Sequence, residues 1–404
     1  MTNNLNINTI AVLGAGTMGS QIALELAKYG YKIFLFDNSK ELATSGKQKI
    51  INSISAKEIT NNKPSIELYN SISANIIECS YDDDLHKLKE CNLIIEAIIE
   101  QIPAKQSLYE KIRRYLNENA ILATNTSGLS IQALSKFSHN PEQFCGLHFF
   151  NPPKHLSLVE YIPTSQINDS INSKCDWILQ EFKSKNMHFN FITVKDSPNF
   201  IGNRIGFFAW LVAVHSSIEF NLEIDIADAL SGVLIGRAKS ATYRTADIVG
   251  LDVVNHVINT MQTIQDSKFE KWYKTPDILN YLIENKHLGQ KSKKGFYTRN
   301  ENGDILCVDI KLNIKNMQSI DYISIDSDLN NVIDKSTLDI LQNINLSLSN
   351  KITQLQSINH NHAKFVVQIV NVVREYIEYH KNEIAYNGKD IIDVMKNGFG
   401  WKEL

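Results

Sequence analysis

The chain has 404 residues, 43% of them hydrophobic and 21% charged, with a formal net charge of −3. That is too much apolar surface for a disordered chain and too little positive charge for nucleic acid or an acidic membrane as the main partner. At about 100–200 residues per domain, the length predicts two or three domains.

Cys79, Cys91, Cys145, Cys175 and Cys307 form no C-x-x-C pair. They read as reduced thiols, neither a disulfide framework nor a metal site. The opening MTNNLNINTI lacks the basic and apolar regions of a secretory signal. The longest run without a polar side chain, Ile205–Val214, falls well short of the roughly 20 residues that span a bilayer, and reads as a buried helix. A cytoplasmic protein without membrane insertion is expected.

In chain order, residues 1–195 alternate β-rich runs with helical stretches. Strands are predicted at Thr9–Leu13, Lys32–Phe36, Asn75–Cys79, Leu93–Ala97, Ile121–Thr124 and Phe144–Phe149. Two more, Leu158–Ile162 and Phe189–Val194, flank a helical stretch near 168–186. Strands separated by helices imply βαβ units and a mostly parallel sheet, an α/β Rossmann-type domain. Pro103 suits the first turn of the helix that follows it. Residues 196–300 read as an all-α domain, punctuated by Gly232, Gly236 and Gly250. Residues 301–360 are rich in Asn, Ser, Asp and Ile and read as a linker region with weak helices, with ENGDILCVDI as a small hairpin. Residues 361–404 return to helix. Their stretch 377–401 echoes 218–236 through an Ile-Glu pair, a D-I-x-D element and a following glycine, a partial second helical repeat.

Gly14-Ala15-Gly16-Thr17-Met18-Gly19 matches G-x-G-x-x-G between a predicted strand and a helix. Gly14 allows the turn, Gly16 admits a pyrophosphate and Gly19 permits close helix–strand packing. Helix N–H groups then face the phosphates. Asp37 ends the next strand, where a carboxylate accepts from ribose hydroxyls and repels a 2′-phosphate, favouring NAD over NADP. Glu100 and Lys105 lie just past the fourth strand. They are either ribose and nicotinamide contacts or a solvated helix-start acid with a surface lysine.

His148 stands near the end of the sixth strand, with Asn151 and two prolines close behind and Glu160 twelve residues on. A histidine there suits a general base, and a carboxylate on its far nitrogen would fix its tautomer. A satisfied core histidine and an edge-strand acid are the plainer readings. Asn203 falls at the start of a predicted helix, able to donate to a substrate carbonyl or simply to serve helix-start polarity.

Together GAGTMG, EAIIE…K, NTSGLSI, GLHFFNPP…LVE and DSPNFIGNRI resemble the L-3-hydroxyacyl-CoA dehydrogenase family, as do IGRAKSATYRTADIVGLD (235–252) and LGQKSKKGFY (288–297). The later motifs and the closing GFGW are most similar to large bacterial β-oxidation proteins, in which the resemblance implies a dehydrogenase part first and an enoyl-CoA hydratase part following. No hydratase part is present in this sequence, which ends at GFGWKEL. The resemblance implies NAD as cofactor, an acyl-CoA thioester as substrate and no metal. His148 would be the base, Glu160 its partner, and Ser127 and Asn203 the contacts to the reacting end. Met18, Asp37, Glu100, Lys105, Ser127, Asn151 and Lys291 would touch NAD. Lys57 and Lys63 are weak candidates for the CoA nucleotide. A homodimer, or association with an enoyl-CoA hydratase or thiolase, is the expected assembly. The rival readings are an NAD-dependent dehydrogenase of another small hydroxy acid, and a truncated NAD-binding subunit inactive without a partner chain.

Overall fold

A computed structural model of the chain describes residues 7–52, 54, 66–164, 178–264, 266–310, 321–326 and 328–404. Lys57, Lys63, Cys175 and the first part of the helical stretch near 168–186 lie outside them. The chain divides into two compact units, Met1–Ser197 and Pro198–Leu404.

The first unit is built on an eight-stranded sheet of order β3-β2-β1-β4-β5-β6-β7-β8. Its strands are β1 (Thr9–Leu13), β2 (Lys32–Asp37), β3 (Ile76–Ser80), β4 (Leu93–Glu96), β5 (Ile121–Thr124), β6 (Phe144–Phe149), β7 (Leu158–Pro163) and β8 (Asn190–Thr193). All pairings are parallel except β6 with β7. The inner strands β4, β5 and β6 are buried along their whole length, as in a sheet covered on both faces. The covering helices are α1 (Thr17–Lys28), α2 (Lys40–Asn52), α3 (Ile66–Asn75), α4 (Ile102–Ile112), α5 (Ile131–Ser135) and α6 (178–184). Pro103 sits in the first turn of α4. Strand order reverses between β1 and β4, and the carboxyl ends of strands at such a reversal are the usual ligand position in these sheets.

In the second unit α7 (Gly202–Glu219) buries every residue of Ile205–Val214. Among the described residues no helix is long and apolar enough to cross a membrane. Around α7 stand α8 (Ile224–Ser231), α9 (Tyr243–Val249), α10 (Leu251–Met261) and α11 (Asp277–Glu284). Two buried aspartates hold the connections. Asp228 accepts from the N–H groups of Thr242, Tyr243 and Arg244 and from the Tyr297 hydroxyl. Asp247 accepts from the N–H groups of Phe296 and Tyr297.

Within 301–360, read from composition as a linker with weak helices, the described residues carry regular structure. The hairpin expected within ENGDILCVDI starts earlier: β9 (Tyr297–Arg299) pairs with β10 (Ile305–Val308), and a third antiparallel strand, β11 (Tyr322–Ser324), joins β10. Helices α12 (Leu329–Val332), α13 (Lys335–Gln342) and α14 (Leu348–Leu355) follow. Asp334 caps α13 and Ser347 caps α14 through their side chains. The chain closes with α15 (Asn361–Ile384) and α16 (Gly388–Phe399), both packed on α7. Gly206 of α7 has no room for a side chain because the Phe399 ring lies against it.

Candidate active site

The glycine loop leaves β1 at its carboxyl end, where the strand order reverses. Gly14 has φ +105°, and a Cβ there would stand 2.6 Å from the Ala97 carbonyl oxygen. A Cβ on Gly19 would stand 1.9 Å from the Gly14 carbonyl oxygen, so the helix can approach the loop only through glycine. A Cβ on Gly16 would meet nothing within 4 Å. That space suits a dinucleotide pyrophosphate over the start of α1, with Met18 in the first turn. Asp37 ends β2, accepting the Ala15 N–H at 2.8 Å and the Asn38 N–H at 2.7 Å. A carboxylate has about four acceptor sites, so it can still receive ribose hydroxyls. These residues therefore fit NAD. Beside the loop runs a groove of about 490 Å³, whose lining includes Thr17, Gln21, Lys49, Lys154 and His155.

The next group lies at the ends of β4 and β5. Glu100 accepts with one oxygen from the Thr126 hydroxyl at 2.5 Å and the Ser127 N–H at 2.8 Å. Lys105 is 1% exposed, unlike the surface lysine that its helix-start position suggests. Its ammonium is 2.7 Å from Glu96 and 3.3 Å from Glu100. The segment Asn125–Ser130 is also held from two other sides. The Asn125 side-chain oxygen accepts from the Phe149 N–H at 2.9 Å. Asp196 accepts from the Ser130 hydroxyl and from the N–H groups of Ile131 and Gln132.

His148 and Glu160 are brought together by strand register. They are direct partners across the antiparallel β6–β7 pair. His148 Nδ1 is 2.8 Å from Glu160 Oε2, with the histidine 4% exposed and the glutamate fully buried. The carboxylate fixes the tautomer, so Nε2 is the nitrogen suited to proton transfer. Asn151 follows on the exposed turn after β6. In the second unit, Asn203 lies half-buried in the first turn of α7. Lys291 is exposed and paired with both oxygens of Asp252, at 2.5 and 2.6 Å.

Sequence reasoning placed Asn125 and Asp196 inside its clusters but gave them no partner, and it gave Glu96 no role. Glu96 was hidden inside the strand run LIIE. Asp196 carried a signal, since D-S-P precedes a helix, but its partners lie some 65 residues back along the chain.

The family model "3-hydroxyacyl-CoA dehydrogenase, NAD binding domain" matches residues 9–189, and "3-hydroxyacyl-CoA dehydrogenase, C-terminal domain" matches residues 200–299. The chain belongs to the 3-hydroxyacyl-CoA dehydrogenase family. It is 32% identical over 305 residues to a Deinococcus radiodurans protein named as a probable 3-hydroxyacyl-CoA dehydrogenase, covering 73% of this chain and 84% of that one. It is 29% identical over 399 residues to a Rickettsia prowazekii protein that bears the name of a fatty acid oxidation complex trifunctional enzyme. That match takes in 98% of this chain and 52% of the relative, so the chain spans about half the relative's length. Among solved structures, 3-hydroxybutyryl-CoA dehydrogenase from Escherichia coli shares the fold, with a TM-score of 0.70 at 20% identity over 98% of this chain and 90% of that one.

Proposed function

We propose that the chain oxidises L-3-hydroxyacyl-CoA thioesters to 3-oxoacyl-CoA, reversibly and with NAD, as a step of fatty-acid β-oxidation in the cytoplasm. The observation that carries this reading is the buried His148–Glu160 pair on a sheet whose glycine loop suits a dinucleotide. NAD, when bound, supplies the redox couple for hydride transfer from C3. His148 Nε2 takes the proton of the 3-hydroxyl as the C3–H bond breaks and the carbonyl forms. Glu160 stabilises the imidazolium that results. Ser127 and Asn203 orient the hydroxyl and the thioester carbonyl. Met18, Asp37, Glu100, Asn151 and Lys291 hold the dinucleotide, and Asp37 selects against a 2′-phosphate. Lys49, Lys154 and His155 in the groove beside the glycine loop suit a polyanionic handle such as that of CoA.

The test is NADH oxidation by the purified chain with acetoacetyl-CoA and with a long-chain 3-oxoacyl-CoA, with NADPH and free acetoacetate as controls. Turnover that requires both the CoA thioester and NADH supports the reading. Equal turnover of free acetoacetate would replace it with a dehydrogenase of small hydroxy acids. Assembly with a second copy or with a hydratase or thiolase chain is also proposed, since a relative bears the name of a fatty acid oxidation complex trifunctional enzyme. Size-exclusion of the chain with and without such a partner tests it.

A further inference from the structure

Glu96 has no part in the chemistry above, yet it is fully buried and accepts four hydrogen bonds. Oε1 accepts from the Lys105 ammonium at 2.7 Å and the Ile98 N–H at 2.8 Å. Oε2 accepts from the Tyr109 hydroxyl at 2.7 Å and the Thr124 hydroxyl at 2.8 Å. A buried carboxylate is costly unless its lone pairs are filled in this way. Burial first, and then the charge of Glu96, hold the Tyr109 phenol far above its ordinary range, so that it stays a donor.

We infer that Glu96 is a positioning residue for the Ser127 loop, acting through Lys105 and Glu100. The inference rests on the reading of that loop as part of a dehydrogenase site. The Lys105 ammonium lies between two carboxylates, nearer to Glu96 than to Glu100. Held there, it steadies one oxygen of Glu100 and leaves the other to receive the Thr126 hydroxyl and the Ser127 N–H. With the charge of Glu96 removed, a buried ammonium is drawn to its one remaining carboxylate, because attraction grows steeply at short range in a dry interior. Glu100 then turns toward Lys105, and the Ser127 N–H loses its acceptor. The relay thus runs from a strand core to the loop that meets the reacting group.

The experiment compares Glu96→Gln with Tyr109→Phe, which removes a hydrogen bond from the other oxygen of Glu96 and leaves the lysine side alone. Amide hydrogen exchange of the segment containing Ser127 is read on the full chain without cofactor. Glu96→Gln should speed exchange there by about tenfold or more, and Tyr109→Phe should leave it near the wild-type rate. Turnover of acetoacetyl-CoA should fall about 10- to 100-fold in Glu96→Gln with little change in KM for the thioester, the scale expected for a displacement of about 1 Å. Combining Glu96→Gln with Thr126→Val should cost no more than the worse single change, since both act on one relay. Equal exchange in the two single variants, or effects that multiply in the double variant, would overturn the inference. If Glu96→Gln does not fold, Glu96→Met with Lys105→Met puts the converse question. With no ammonium left to draw Glu100 away, exchange at Ser127 should stay near the wild-type rate, and a tenfold rise there would overturn the inference. A wild-type chain that does not reduce acetoacetyl-CoA, but in which the exchange difference persists, would sink the dehydrogenase reading and leave the relay standing.

Discussion

Each unit pairs a buried cation with a carboxylate, and the two pairs are built differently. In the first, Glu96 and Lys105 are nine residues apart, both essentially unexposed, and sit at the carboxyl edge of the sheet. In the second, Arg204 is fully buried while its partner Glu383 is 47% exposed and 179 residues away. Glu383 takes Arg204 in a fork, at 2.7 and 2.9 Å. Tyr376 and His380 of the same helix complete the shell around the guanidinium, and His380 reaches on to Asp266 at 2.8 Å. The first pair holds a loop beside the proposed chemistry. The second fastens α15 to the first turn of α7. The same interaction type therefore serves positioning in one unit and cohesion in the other, and substitutions should separate the two in kinetics and in stability.

The largest effect belongs to the first unit. His148→Gln should lower kcat by about 10²–10⁴-fold, the usual contribution of a general base, while the thermal midpoint stays close to that of the wild type. Near-normal turnover would remove His148 from the mechanism and with it the functional half of the contrast.

Next comes the anchor of the second unit. Glu383→Ala leaves a buried guanidinium without its fork partner and should cost about 1–3 kcal/mol in urea unfolding, since the lost carboxylate is half exposed and Tyr376 and His380 remain. A loss below about 1 kcal/mol would mean that water reaches Arg204 as readily as it reaches Glu383, and the pair would then be a surface one.

A pH dependence sharpens the same contrast. Burial raises the carboxyls of Asp228 and Asp247 to about 6, against the pull of the N–H groups that they accept. Their unfolded value is about 3.9, so what they contribute is fully present below that pH and is lost as the pH rises through about 6. Asp247→Asn should therefore destabilise more at about pH 4.5 than at about pH 7.5. Denaturation curves at the two pH values check this, and an unchanged difference would break the assignment.

The smallest effect is expected at the Lys291–Asp252 pair, where both partners are about half exposed. Lys291→Ala should change stability by less than about 1 kcal/mol. A rise in KM for NADH without that loss would support its proposed cofactor contact.

Much of the first unit was legible in the chain. β1, β5 and β6 fall on the residues expected from apolar runs bounded by turns, and β3 starts one residue late because α3 runs on to Asn75. The glycine loop and Asp37 could be read because spacing along a short βαβ unit already fixes their neighbourhood. Residues 301–360 read as a linker with weak helices, and the described part of it carries short helices beside a small sheet. The Asp334 and Ser347 caps were there to be read, but each helix is stabilised mainly by its packing.

What the sequence by itself determined was the βαβ order, the dinucleotide loop, the helical character of the second unit and the residue types on which its chemistry depends. All of these follow from local periodicity and short-range spacing. Only the tertiary structure decided that His148 faces Glu160, because that contact depends on the β6–β7 register, and a slip of one residue would turn the side chains to opposite faces. It alone decided that Lys105 is buried between two carboxylates and that Arg204 finds its partner on the last long helix. Those pairings depend on which distant charges are desolvated together, and that is set when the layers pack.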